Sequence, residues 1–192
     1  MSRIPTALLP LLCAFVLFCV PARAQSVSAA DSAAAPGRVG FEIAAGPMFE
    51  VATAGDRESQ RGLLAVPALG VRVASWFEYT LEGHFSRHVD PVPGNVFGVV
   101  PVGFKIRMGR RKLLHLSAGA GIVWSDLAGL RGVEQRRNYI TQIGAGITKS
   151  GRRGSGLSVE ARLFHLSNLH AAPPNLGMEA VALLVGYRLP RY

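Results

Sequence analysis

The hydrophobicity of this chain alternates with a period of two, and this pattern constrains the fold more than any other feature. In the segment WFEYTLEGHFSRH, residues 76–88, apolar side chains starting at Phe77 share one side of an extended chain, and polar ones starting at Glu78 share the other. The alternation recurs clearly in 96–108 and 157–163, and more weakly in 39–50, 63–74, 112–124, 138–149 and 178–189. The sequence therefore predicts eight strands of roughly 9–13 residues each.

The number and length of these segments favour a membrane barrel. Each is close to the ~9–11 residues that a tilted strand needs to cross a bilayer. Many segments end in aromatic residues, and their turns are short and contain glycine or basic residues. Closure pairs every backbone amide, which an open sheet in lipid cannot do. We predict an all-β fold, a closed eight-stranded antiparallel transmembrane β-barrel of the outer-membrane type. A soluble sandwich and a soluble secreted lipid-binding barrel are the alternatives.

The polar side of the strands predicts a lumen filled with side chains, because an eight-stranded barrel leaves no room for a pore. The candidates for an interior ion-pair network are Glu78, Glu82, Lys105, Arg107, Glu160, Arg162 and Arg188. His84 and His115 fall on the same side, and we expect them to join the network. In 96–108, one uninterrupted alternation places Val96 and Val100 with Met108 on the lipid side.

The first residues predict export. An early arginine, an apolar run that is shorter than the ~20 residues of a membrane helix, and an Ala-x-Ala site indicate a signal peptide at 1–24. We expect a flexible lead-in at 25–38 and the barrel domain at 39–192. Cys13 and Cys19 both lie in the signal segment, so the mature chain has no thiol for a disulfide or a nucleophile.

The charge balance predicts an anionic partner. Without Arg3 and Arg23, the chain keeps 19 of its 21 basic residues against 12 acidic ones, a net charge of +7. We expect no nucleic-acid partner, because the sequence predicts export and shows no basic helix or aromatic RNA-binding motif. The lipids of an outer membrane fit both observations.

Three polar groups occur on the predicted lipid side in FHLSNLHAAPPNLGME, residues 164–179. Strand alternation places His165 and Ser167 outward on the seventh strand and Glu179 outward on the eighth. If position 165 pairs with 179, the carboxylate lies about 5 Å across from the imidazole. A hydroxyl, a base that takes its proton and a carboxylate that orients the base are the groups that acyl transfer requires. Polar side chains that face hydrocarbon cost free energy of folding. The presence of three of them at one place therefore predicts catalysis.

Other interpretations of this region stay open. A His-x-Ser pair also arises by chance, and polar side chains at a strand end can reach lipid headgroups. His170 is an alternative base, and Asp126 and Glu134 are alternative acids. The five histidines show no zinc-type spacing, so we expect no metal and no cofactor.

The motif HLSN, followed by Asn175, Gly177, Glu179 and the strand VALLVGYRL, resembles the PagL family of lipid A 3-O-deacylases over residues 164–189. The resemblance implies that His165 is the base, Ser167 the nucleophile and Glu179 the acid. It implies an oxyanion hole that uses Asn168 and Asn175. It also implies an eight-stranded outer-membrane barrel that hydrolyses the ester-linked hydroxyacyl chain at position 3 of lipid A.

These expectations define an outer-membrane serine esterase that acts on lipopolysaccharide, with its active site toward the outer leaflet. The candidate binding residues for lipid A phosphates are Arg131, Arg136 and Arg137, in a predicted outward loop. Association into a homodimer is left open. The alternative function is a non-catalytic barrel with an anchoring, adhesion or resistance role.

Overall fold

A computed structural model describes residues 39–52, 58–109, 111–127, 130, 133, 135–151, 155–169 and 177–190. The predicted signal peptide and lead-in lie outside these residues. Eight strands are present: β1 Val39–Ala52, β2 Arg61–Ala74, β3 Phe77–Asp90, β4 Gly94–Met108, β5 Leu114–Ser125, β6 Arg137–Ser150, β7 Gly156–Ser167 and β8 Met178–Arg188. None of the described residues belongs to a helix that is long and apolar enough to cross a membrane.

The strands form a closed barrel in sequence order, and each strand pairs antiparallel with its neighbours. β8 closes the barrel against β1, with Ile43 opposite Tyr187 and Phe49 opposite Val181. The predicted closed, eight-stranded antiparallel barrel is therefore confirmed. The connections β1–β2, β3–β4, β5–β6 and β7–β8 share one end of the barrel, called the loop end below. The other end, where β1 starts and β8 stops, is called the termini end.

The outer wall of the barrel is apolar, as the alternation predicts. In β3, Tyr79, Leu81 and Phe85 are exposed, whereas the polar residues between them are buried in the lumen. The same arrangement holds along β7, where Leu157, Val159 and Leu163 are exposed. An apolar outer belt on a closed barrel is the surface that lipid requires.

The alternation predicted for β4 is wrong in its first half. Val96 and Val100 are buried inside the barrel, each only 1% exposed, whereas Val102 and Met108 face outward. The register against β5 shifts between Val99 and Val102, which marks a β-bulge around Pro101. A proline lacks the N–H that a strand ladder needs, and bulges accommodate it. The extra residue reverses which side chains face the lumen.

Toward the termini end, the lumen holds a charge-balanced network. It joins four buried carboxylates, Glu42, Glu78, Glu82 and Glu160, to four buried cations, Lys105, Arg107, Arg162 and Arg188. Arg188 links two acids, with Nη2 2.7 Å from Glu42 and Nη1 2.9 Å from Glu78. The predicted ion-pair network is confirmed, and Glu42 is an additional member.

The two predicted lumen histidines differ in their partners. His115 joins the network, with Nε2 2.9 Å from Glu160 and Nδ1 3.1 Å from Thr148. His84 is buried in the lumen, but neither of its ring nitrogens has a hydrogen-bond partner among the described residues. Its ring packs edge-on against Phe164 at 5.4 Å. The expectation that His84 joins the network is therefore wrong. The His84 ring contacts the aromatic ring of Phe164 and not a charged member of the network.

Toward the loop end, the lumen holds a packed apolar cluster beside several buried polar side chains. Leu127, Leu130 and Val133 of the β5–β6 connection are buried in one cluster with side chains from the strands. That cluster includes Phe164, Leu166 and Met178 at the ends of β7 and β8. Because these side chains point inward, the residues between them are directed to the outer wall. The apolar cluster therefore anchors the strand ends that carry the candidate site.

Candidate active site

The β7–β8 hairpin brings His165 and Glu179 directly opposite each other on the outer wall. Leu166 pairs with Met178 and His165 with Glu179, which is the register assumed from the sequence. Phe164 and Leu166, on either side of His165, are each 1% exposed. The imidazole consequently faces away from the lumen, and 39% of its side chain is exposed, compared with 52% for Glu179.

The acid and the base approach each other but do not form a hydrogen bond. His165 Nδ1 lies 3.7 Å from Glu179 Oε1, and this buried nitrogen has no hydrogen-bond partner among the described residues. A hydrogen bond would need the two atoms to close to about 2.7–3.2 Å. Catalytic hydrogen bonds are often long before substrate binds and tighten afterwards. The geometry therefore fits a carboxylate that orients the imidazole.

Ser167 is the last residue of β7 and, by strand alternation, lies on the same outward face as His165. Residues two apart on a strand are separated by about 6.6 Å along it. Within the described part of the chain, Ser167 and His165 form no hydrogen bond with each other. Ser167 is 6% exposed and stands opposite Tyr139 of β6. The three predicted catalytic residues thus lie near the loop end of two adjacent strands, with His165 and Glu179 partly exposed and Ser167 buried.

The neighbouring strand β6 adds residues to the site that the sequence interpretation did not single out. Tyr139 pairs with Ser167, and Thr141 pairs with His165. Arg137 is two positions further toward the loop end on the same face as Tyr139, and it is exposed. The sequence alternation indicates that these side chains face outward, but it does not indicate which residues of β7 they pair with. Arg137 is the predicted phosphate-binding residue that the described structure places nearest the serine in strand register.

Of the other predicted site residues, Arg136, Asn168 and Asp126 lie in the described part of the chain and four lie outside it. Arg136 is exposed beside Arg137. Asn168 is 3% exposed and has an interaction partner in the structure. Outside the described residues lie the oxyanion candidate Asn175, the alternative base His170, the alternative acid Glu134 and the phosphate candidate Arg131.

Asp126, an alternative acid for His165, is engaged elsewhere. Its carboxylate accepts hydrogen bonds from the backbone and the side-chain amide of Asn95 on β4. The backbone N–H of Asn95 holds the pKa of Asp126 below its usual value. β5 and β6 separate β4 from β7 in the barrel. The structure therefore assigns Asp126 to Asn95 on β4, away from β7, and among the described acids it is Glu179 that lies opposite His165.

The outer wall below the site is apolar over several rows. On β7, Leu163 and Val159 follow His165 toward the termini end, and Ile143 and Ile147 are their register partners on β6. All four side chains are exposed. Within the described part of the chain, no three His, Cys, Asp or Glu side chains are grouped as metal ligands would be. The site therefore combines hydroxyl, imidazole and carboxylate groups with an apolar surface that suits an acyl chain.

Comparisons with known proteins identify a family. The family model for lipid A 3-O-deacylase (PagL) matches residues 50–188. The chain is similar to the crystal structure of the outer membrane enzyme PagL, with 15% identity, a TM-score of 0.50 and coverage of 79% of this chain and 99% of that one. It is also similar to Neisserial surface protein A (NspA), with 11% identity, a TM-score of 0.57 and coverage of 80% and 97%. No curated protein sequence matches the chain. The structural likenesses concern the fold, and the family match spans the whole candidate site.

Proposed function

Because this chain belongs to the PagL family of lipid A 3-O-deacylases, we propose that it is a serine esterase of the bacterial outer membrane that hydrolyses the ester-linked 3-hydroxyacyl chain at position 3 of lipid A. The family and the outer-membrane barrel fold support an enzyme that works on a lipid in its own membrane. We assign the chemistry to His165, Ser167 and Glu179.

The observation that carries this proposal is the outward pairing of His165 with Glu179 beside Ser167. An imidazole and a carboxylate on the lipid side of a barrel cost free energy of folding, so we infer that they are kept there for a function. Here they are in register on adjacent strands, and the serine is two positions away on the same face. A structural ion pair would be expected in the lumen, where the buried carboxylates Glu42, Glu78, Glu82 and Glu160 pair with cations.

In the proposed mechanism, His165 accepts the Ser167 proton as the serine oxygen attacks the ester carbonyl. Glu179 holds the imidazole in the required tautomer and stabilises the imidazolium that forms. The tetrahedral oxyanion is held by donors at Asn168 and Asn175, and one such donor typically contributes about 3–4 kcal/mol to lowering the barrier. The imidazolium returns its proton to the departing sugar oxygen. Water, deprotonated by His165, then releases the hydroxy fatty acid from the acyl-serine.

The surroundings of the site support a substrate that stays in the membrane. The acyl chain would lie along the apolar rows of β6 and β7, including Leu163 and Ile143, while its ester reaches Ser167. The exposed guanidinium groups of Arg136 and Arg137, together with Arg131, would bind lipid A phosphates, for which the planar arginine fork is suited. A loop end directed toward the outer leaflet would place the site at the depth of the lipid A headgroup.

The test is the mass of lipid A from a host that supplies position-3 acylated lipid A and expresses the protein. We expect wild type to remove one hydroxyacyl chain, and Ser167→Ala and His165→Ala to leave lipid A intact while still folding. Ser59→Ala, at an exposed serine in the β1–β2 connection, is the matched control and should keep full activity. Unchanged lipid A with well-folded wild type present would favour the non-catalytic barrel instead.

A further inference from the structure

Gly177, the residue immediately before β8, lies against the imidazole of His165. A Cβ built on Gly177 would be 2.8 Å from Cε1 and 3.4 Å from Nε2 of that ring. It would also be 3.1 Å from the carbonyl oxygen of Leu166. We propose that Gly177 is a positioning residue, whose missing side chain provides the space in which the catalytic imidazole sits. This inference rests on the proposed function.

Two residues at the start of the β8 arm of the hairpin, Gly177 and Glu179, thus face the ring of His165. Its Cε1–Nε2 edge faces Gly177, and its Nδ1 faces the Glu179 carboxylate at 3.7 Å. Pushing the ring away from Gly177 therefore changes its distance from its acid and from its nucleophile together. A wrong position of the imidazole affects proton transfer, but it leaves the apolar wall and the arginines of the lipid A site unchanged.

The size of the displacement follows from the contact distances. A Cβ at position 177 needs about 3.4 Å from Cε1 to make an ordinary contact, so the ring would have to move by about 0.6 Å. Catalytic groups must be held within about 0.5 Å of their productive position, and a misplacement of about 1 Å can cost 10²-fold in rate. We therefore expect kcat to fall roughly 10- to 10²-fold with KM unchanged.

The backbone supplies a second reason for glycine, which the experiment must separate from the first. Gly177 has φ +68°, in the left-handed region that residues with a Cβ adopt reluctantly. Asparagine tolerates this region better than alanine. Gly177→Asn therefore keeps the new Cβ next to the ring while relieving part of the backbone strain, and it should lose kcat as Gly177→Ala does.

Gly109 is a matched control for the backbone effect. It has φ +78°, and a Cβ there would meet nothing within 4 Å. Gly109→Ala and Gly109→Asn carry the same conformational cost in a turn at the opposite end of the barrel. If strain alone matters, the two pairs of variants should behave alike. If the contact with the imidazole matters, only the Gly177 variants should lose kcat.

The experiment measures kcat and KM of purified protein on lipid A in detergent micelles, together with the rate of serine modification by an alkyl phosphonate. An active wild type with a Gly177→Asn kcat within twofold of it would overturn the inference. Inactive, well-folded wild type would instead overturn the proposed function. Urea unfolding of Gly177→Ala in the presence and absence of His165→Ala decides the contact in either case. Removing the imidazole should relieve part of the destabilisation, and equal losses in both backgrounds would exclude the contact.

Discussion

Arg162 is the best residue at which to test whether the lumen network stabilises the folded barrel. The guanidinium is 3% exposed and bridges two acids, with Nη1 2.7 Å from Glu82 and Nε 2.6 Å from Glu160. The remaining partners of these carboxylates are a glutamine, a threonine, a serine and a histidine. Arg162→Met therefore leaves two buried carboxylates without their principal cation. Removing one member of a buried ion pair costs about 3–5 kcal/mol, and we expect a loss of that size in the free energy of unfolding.

The assay is urea unfolding in lipid vesicles, followed by tryptophan fluorescence. Arg162→Lys should recover only part of the loss, because one ammonium cannot replace a fork that bonds in two directions. The triple variant Arg162→Met with Glu82→Gln and Glu160→Gln should recover most of it, because no unpaired charge remains. Lys149→Met, at an exposed position of β6, should stay within about 0.5 kcal/mol of wild type.

Two results would refute this reasoning. If Arg162→Met lies within about 1 kcal/mol of wild type, the network contributes no more than a surface ion pair does. If the folded fraction of the variant loses its activity, the lumen takes part in catalysis, and the chemistry is not restricted to the outer wall.

Two further predictions concern closure of the barrel and orientation of the base. Gly46→Ala should prevent the native barrel from forming, because a Cβ there would lie 1.8 Å from the backbone oxygen of Leu183 across the β1–β8 seam. Heat-modified migration on SDS gels would show the loss of the folded barrel. A normally folded variant would contradict the packing of the seam. Glu179→Gln should fold normally, since 52% of the side chain is exposed, but should lose about 10²-fold in kcat; a rate equal to wild type in the lipid A assay would remove Glu179 from the mechanism.

Much of the architecture could be predicted from the sequence, because one physical rule governs every strand. A lipid-facing barrel must alternate apolar and polar side chains, so the β3 and β7 patterns alone predict Glu82, Glu160 and Arg162 in the lumen. The same rule placed His165 and Glu179 outward. The pairing of these two residues was an assumption that the structure supports.

The features that the sequence did not reveal have local causes. Around Pro101 the chain is apolar on both sides, so no polar residue marks the point where the bulge reverses the alternation of β4. Glu42 lies in a strand rich in alanine and glycine, where the period is weak. Tyr139 and Thr141 face the site through the β6–β7 register, which depends on closure of the whole barrel. Gly177 was visible only as part of a motif, because its contact with the imidazole is a matter of three-dimensional distance.

The most direct test of the account is to trap the nucleophile. Trypsin cleavage of the labelled, denatured protein after Arg162 and Arg188 yields one peptide, 163–188, in which Ser167 is the only serine and no threonine occurs. After reaction of the folded protein with a long-chain alkyl phosphonate ester, the account predicts one adduct on this peptide in wild type and none in His165→Ala. An adduct on a different peptide, or unmodified 163–188 from protein that still deacylates lipid A, would contradict it.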